Sequence, residues 1–293
     1  MTMRLLNALI VTMAVLASAE PAVAQAPAGQ YLVEPVTFPS DGLKLRGVLA
    51  RPAGDGKFPA YIHAHGSMTV EQAARSPWTR LEAGSHLDLL SQHGYVVLLV
   101  ARRGHRGSEG TTQTYTSRRT TNAFVTAPEV LEAAETEARD LVAAFEYVKA
   151  LPYVDPGRIA LGGHSMGGFI AILAASREPR VRAVVSLAGG FTWKENDKDA
   201  GWPLVERAWR EAAKRITVPI LIMWSKNDYS LDPDTGRELQ KAIEKEGHPV
   251  QFVLYPRFED NGHYLFIRHG GHPLFTPDLF TFLDANVRDG SAR

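Results

Sequence analysis

Short apolar runs bounded by turn residues alternate along this chain with longer stretches whose apolar positions recur every three or four residues. Val33–Phe38 and Leu43–Leu49 are β-like runs joined by Pro39-Ser40-Asp41-Gly42, a hairpin signal. Pro59–His65 predicts a third strand, ending in His65-Gly66-Ser67. Tyr95–Val100 is apolar throughout, as a strand buried on both faces would be. Further strands are predicted at Arg158–Gly162, Val181–Ala188, Ile220–Trp224 and Val250–Tyr255. Helices are predicted between them. Leu81–His93 is stopped by Gly94, whose missing Cβ suits a left-handed cap. In Glu129–Leu151, residues Ala134, Ala138, Leu141, Phe145 and Val148 mark one face of an amphipathic helix. Gly167–Arg177, Thr235–Glu246 and Thr276–Arg288 complete the set. The alternation predicts an α/β fold, a doubly wound, mostly parallel sheet covered on both faces. No repeat or low-complexity tract interrupts it, so residues 25–293 are expected to form one domain, with a small cap insertion at about 190–218.

The first residues follow a different logic. Arg4 precedes the apolar stretch Leu5–Ala17, broken only by Asn7 and Thr12, and Ala22-Val23-Ala24 offers a small-x-small cleavage site. Residues 1–24 therefore read as a cleavable signal peptide, with an uncleaved anchor as the alternative. The apolar stretch is shorter than the roughly 20 residues a spanning helix needs. A periplasmic or secreted protein is expected, with no stable membrane anchor after cleavage. The 293 residues are 45% hydrophobic and 22% charged, a globular balance. Thirty-two basic and 32 acidic side chains cancel, which argues against a nucleic-acid partner, since phosphate neutralisation needs a basic surface. The absence of cysteine excludes disulfides, thiolate metal sites and a cysteine nucleophile.

In open parallel sheets, ligands bind at the carboxyl ends of the strands, so the residues after each strand carry the chemistry. The clearest signal there is Gly163-His164-Ser165-Met166-Gly167, between a predicted strand and a predicted helix. This is the G-x-S-x-G nucleophile elbow, a turn so sharp that Cβ atoms two residues either side of the serine would collide. A serine hydroxyl needs a base to take its proton, and the base needs an orienting carboxylate. In this arrangement they follow in the order acid, then histidine. Asp228 sits after the strand Ile220–Trp224, with Asp232 and Asp234 in reserve. His263 follows the strand Val250–Tyr255, whereas His269 and His272 lie nearer the last helix and His164 reads as a packed neighbour of the turn. The oxyanion donors are expected to be the N–H of Met166 and the N–H of Ser67, with Met68 as the alternative to Ser67.

With these residues in view, the chain resembles the α/β-hydrolase superfamily, and within it the dienelactone hydrolase and prolyl-oligopeptidase-type branch. The resemblance is carried by His65-Gly66, Arg103-Gly104-His105-Arg106-Gly107-Ser108, Asp155-Pro156-Gly157-Arg158-Ile159, the elbow and the triad positions, and spans roughly Leu43 to Val287. It implies the α/β-hydrolase fold and a serine hydrolase acting on a small-molecule ester or a short peptide, with no cofactor. Two departures matter. No β-propeller precedes the hydrolase region, as it does in oligopeptidases of this type, and the cysteine nucleophile of dienelactone hydrolases proper is replaced by serine. Both favour a general serine esterase, with a small peptidase as the alternative and an acyltransferase as a remote one.

Specificity is expected from the insertions. Arg102–Pro128 is longer than the 12–15 residues usual for a loop inside a compact domain. Its arginines 102, 103, 106, 118 and 119 would suit a substrate carboxylate, with Arg103 and Arg106 the chosen candidates; pairing with acidic neighbours is the other reading. The cap insertion carries a predicted helix at about Pro203–Arg215. Its Phe191, Trp193 and Trp202, with Trp209, would suit an apolar group if they overhang the cleft rather than pack on the sheet. His63-Ala64-His65 places two imidazoles on one strand face, as a metal hydrolase would, but Gly66-Ser67-Met68 does not continue such a pattern, so no metal is expected. A non-catalytic binding protein on this scaffold is disfavoured because every triad position is filled.

Overall fold

A computed structural model describes residues 31–68, 70–76, 78–111, 126–192, 194–195 and 198–289. The expected signal peptide, Arg118, Arg119 and Trp193 lie outside these residues.

In chain order the elements begin with strands β1 (Tyr31–Ser40), β2 (Leu43–Pro52) and β3 (Phe58–Ala64), followed by α1 (Val70–Ala73), α2 (His86–Gln92) and β4 (Val96–Ala101). Then come α3 (Ala127–Lys149), β5 (Val154–His164), α4 (Met166–Ala175), β6 (Ala183–Leu187) and the two-residue strands β7 (Lys194–Glu195) and β8 (Lys198–Asp199). The chain continues with α5 (Trp202–Ala213), β9 (Ile220–Ser225), α6 (Pro233–Lys245), β10 (Val250–Tyr255), a 3₁₀ turn at Gly262–Phe266, α7 (His272–Leu283) and a π turn at Asp284–Arg288.

Eight strands form one sheet in the order β1-β2-β4-β3-β5-β6-β9-β10. Only β2 runs against the rest; the other pairings, from β4 to β10, are parallel. The central strands β4, β6 and β9 are buried nearly throughout, matching sequences that are apolar except for Ser186 in β6 and Ser225 at the end of β9. Helices α3, α4, α5 and α6 form one contiguous layer, while α2 meets α7 in the other. Helix α4 is buried all round, as expected of MGGFIAILAA. Helix α3 starts where Thr126 and Glu129 form a capping box.

The helix expected from Leu81 begins only at His86, because Gly84 adopts φ +73° and Ser85 caps the N–H of Asp88 at 3.2 Å. Helix α7 starts at His272 rather than Thr276, with Pro273 in the first turn and Pro277 inside the helix. The insertion at 190–218 is not chiefly a cap: α5 packs into the layer of α3, α4 and α6, and Trp209 is wholly buried there. Its amphipathic face, Val205, Trp209, Ala212 and Ala213, found the main core instead of the cleft. No described helix is long and apolar enough to cross a membrane.

Candidate active site

The parallel strands bring the loops after β3, β5, β9 and β10 to the same edge of the sheet. Strand β5 ends at His164 and α4 begins at Met166, so the chain turns through Ser165 alone. Ser165 holds φ 55° and ψ −125°, a conformation unusual for a residue with a side chain. Its N–H donates to the Leu187 carbonyl at 2.9 Å, and its own carbonyl accepts from Phe169 and Gly190 at 3.1 and 3.2 Å. The flanking glycines are a steric necessity. A Cβ on Gly163 would stand 2.4 Å from the Gly167 backbone, and one on Gly167 would stand 2.0 Å from the Ala64 carbonyl oxygen.

Asp228 follows β9 and is buried. Its Oδ1 accepts the N–H groups of Ser230 and Leu231 at 2.9 and 2.8 Å, and its Oδ2 accepts from Nδ1 of His263 at 2.8 Å. That bond leaves Nε2 of His263 as the nitrogen free to take a proton. Of the two reserve carboxylates, Asp232 caps α6 through the N–H of Asp234 at 2.9 Å. The two loops are fastened to each other by asparagines that the sequence reading did not single out. Asn261 Oδ1 accepts the N–H of Tyr229 at 3.1 Å and that of His263 at 3.0 Å. Asn227 Oδ1 accepts the N–H of Phe258 at 2.8 Å. His164, the packed neighbour, donates from Nε2 to the His263 carbonyl at 3.0 Å. His269 is exposed and paired with Glu82, whereas His272 is buried at the start of α7.

The loop after β3 is held from behind. The Gly66 carbonyl accepts from Nδ1 of His65 at 2.7 Å and from Nη2 of Arg102 at 3.0 Å. In a trans peptide the N–H lies opposite the C=O, so these two bonds turn the N–H of Ser67 the other way. Arg102 is itself paired with the buried Glu137, whose carboxyl burial pushes up against the opposing pull of that arginine.

Ser67, Met68, Ser165, Met166 and His263 line one cleft of about 1340 Å³. Arg106 and Phe191 also line it. Arg106 lies over the Trp78 ring, 4.7 Å from its centroid, and Phe191 packs edge-on against Phe169. Two substrate-binding candidates do not reach the cleft. Arg103 turns inward and holds Asp140 with two bonds of 2.7 and 2.6 Å, because α3 brings that carboxylate opposite. Trp202 sits behind Gly190, its Cζ3 3.7 Å from where a Cβ there would be. His63 and His65 do not meet a third ligand: no group of three or more His, Cys, Asp or Glu residues suited to a metal occurs among the described residues. Both rings are buried. Burial pushes His63 down to about 3, and it pushes His65, His86 and His164 well below the usual imidazole value.

An eight-stranded, mostly parallel sheet with a strained serine between β5 and α4 defines an α/β-hydrolase. The chain belongs to the dienelactone hydrolase family, whose model matches residues 85–270. It is 29% identical over 171 residues to the thiohydrolase aneE of Aspergillus aculeatus, an alignment covering 58% of this chain and 41% of that protein. It therefore spans less than half the length of that relative. In fold it is similar to the acylaminoacyl peptidase of Pyrococcus horikoshii, with TM-score 0.64 and 18% identity over 90% of this chain and 43% of the other. The acetyl xylan esterase of Paenibacillus sp. R4 gives TM-score 0.64 and 17% identity over 90% of this chain and 87% of the other.

Proposed function

We propose that this protein is a serine hydrolase that cleaves carboxylic esters through an acyl-enzyme on Ser165. The observation that carries the reading is the 2.8 Å bond from His263 to the buried Asp228, with His263 lining the cleft that also holds Ser165 at the elbow. Ser165 Oγ attacks the acyl carbonyl while Nε2 of His263 takes its proton. The N–H groups of Met166 and Ser67 stabilise the tetrahedral oxyanion. Collapse breaks the bond to the alcohol, which leaves with the proton from His263. Water then attacks the acyl-serine with the same base, releasing the acid and restoring the hydroxyl. Asp228 holds the imidazole in the tautomer that makes this possible. The expected leader at residues 1–24 supports export, which N-terminal sequencing of the mature protein would test.

Hydrolysis of short acylated peptides is the second reading, favoured by the fold likeness to an acylaminoacyl peptidase. The same acyl-enzyme serves both. Ser165→Ala is expected to abolish turnover of p-nitrophenyl acetate and labelling by a fluorophosphonate while leaving the fold intact. Unchanged turnover in that variant ends the proposal. Esters, thioesters and aminoacyl amides assayed side by side decide between the two readings.

A further inference from the structure

One wall of the cleft is built from imidazoles. His86, the first residue of α2, is 4% exposed, and neither of its ring nitrogens has a hydrogen-bond partner in the protein. The His63 ring stands 4.9 Å away and the His272 ring 5.7 Å away, centroid to centroid, with Phe275 at 5.6 Å. His63, His86 and His272 all line the cleft that contains Ser165. Nε2 of His272 also lacks a partner.

The other buried histidines show what is unusual about His86. His65 spends a nitrogen on the Gly66 carbonyl, His164 on that of His263, and His272 on that of Gly84. His86 spends none, and a buried polar group left this way costs free energy until something answers it. Burial keeps the ring neutral, so it offers one N–H and one lone pair. A carboxylate could only accept and an ammonium only donate, and either would need a counter-ion in a wall that has none. The charged residues of the cleft, Arg80, Glu82 and Arg106, lie on its more exposed parts. A hydroxyl both donates and accepts, so it suits whichever nitrogen carries the proton.

We propose that His86, flanked by His63 and His272, is a subsite for an uncharged hydroxyl of the substrate, and that the enzyme prefers esters bearing such a hydroxyl. This rests on the reading of Ser165 as nucleophile, and it adds a substrate class to that reading.

The test uses matched ester pairs differing by one hydroxyl. Methyl 3-(4-hydroxyphenyl)propanoate against methyl 3-phenylpropanoate probes the acyl side, and 2-hydroxyethyl against ethyl benzoate probes the alcohol side. The unaltered protein is expected to favour the hydroxylated member of at least one pair by roughly tenfold or more in kcat/KM. His86→Leu is expected to bring that ratio near one, and His86→Asn, which keeps a donor and an acceptor, to restore part of it. Because the ratio is internal to each protein, a general loss of activity does not move it. Should His86→Leu not fold, the wild-type ratio and His86→Asn carry the test. A wild-type ratio near one in both pairs, or a ratio unchanged by His86→Leu, overturns the subsite. Turnover that survives Ser165→Ala overturns the underlying reading instead, so the two failures are separable.

Discussion

Oδ2 of Asp228 accepts the Nδ1 proton of His263 at 2.8 Å while Oδ1 of the same carboxylate is held by two backbone N–H groups. The carboxylate is thereby locked in one orientation. In Asp228→Asn the side-chain oxygen must stay with Ser230 and Leu231, so the amide NH₂ faces Nδ1 and drives the ring proton to Nε2. The ring is then in the wrong tautomer to accept the serine proton. Ester turnover is expected to fall by roughly 10⁴-fold in kcat. Asp232→Ala should leave kcat alone and cost about 1 kcal/mol of stability in denaturant titration, as the loss of a helix cap does.

Arg102 is expected to act on rate and not on binding, through the Gly66 carbonyl. Arg102→Lys keeps a cation beside the buried Glu137 but loses the bond that sets the Ser67 peptide. Roughly a tenfold drop in kcat with little change in KM is expected, since one misaimed oxyanion donor costs less than one removed. Equal effects on both parameters would argue against the positioning role.

Arg103 and Arg106 should separate cleanly. Arg103→Ala leaves Asp140 buried without its cation, and a loss of about 3–5 kcal/mol of stability is expected. Arg106→Ala should instead raise KM by roughly tenfold for esters carrying a free carboxylate, with little effect on neutral ones. Steady-state kinetics on the two ester types, alongside urea titrations, would check both halves.

Acid should destabilise this protein early. His63, His65, His86, His105 and His164 are all held below their usual value of 6.5, chiefly by burial. Below that pH the unfolded chain takes up protons that the folded one refuses, so stability falls as pH drops from about 6.5. The loss continues to about pH 3 for His63 and His105. Each such histidine contributes up to about 1.4 kcal/mol per pH unit within its window. Thermal melts between pH 7 and 5 should show a steep fall in Tm; a flat profile would contradict the neutral cluster.

Gly167→Ala places a methyl group 2.0 Å from the Ala64 carbonyl oxygen. Something in the elbow or in β3 must move, at an expected cost of about 3 kcal/mol or more, together with most of the activity. A denaturation midpoint equal to wild type would show that the turn is looser than the geometry says.

The alternation of strands and helices was legible from residue order because it is written in local periodicity: β10 runs from Val250 to Tyr255 as the pattern predicts. The elbow was legible for the same reason. Its steric demands involve Gly163, Ser165 and Gly167, all within five residues, and chain order then pointed to Asp228 and His263. The arginines were not legible. Arg102, Arg103 and Arg106 lie within one tight loop, with Arg106 at φ 51°, and nothing local says which turns inward. That depended on Glu137 and Asp140 arriving from α3, and on Arg106 meeting Trp78. The aromatics of the insertion were ambiguous in the same way, since Trp209 found a helix layer where it was free to have found the cleft. Asn227, Asn261 and His86 carry no local signature at all. Their roles come from loops some 30 residues apart folding onto one another, or from α2 and α7 closing around a ring that no backbone group satisfies. Periodicity along a chain can encode which face is apolar, but a side chain's partner is set by what the fold brings opposite it.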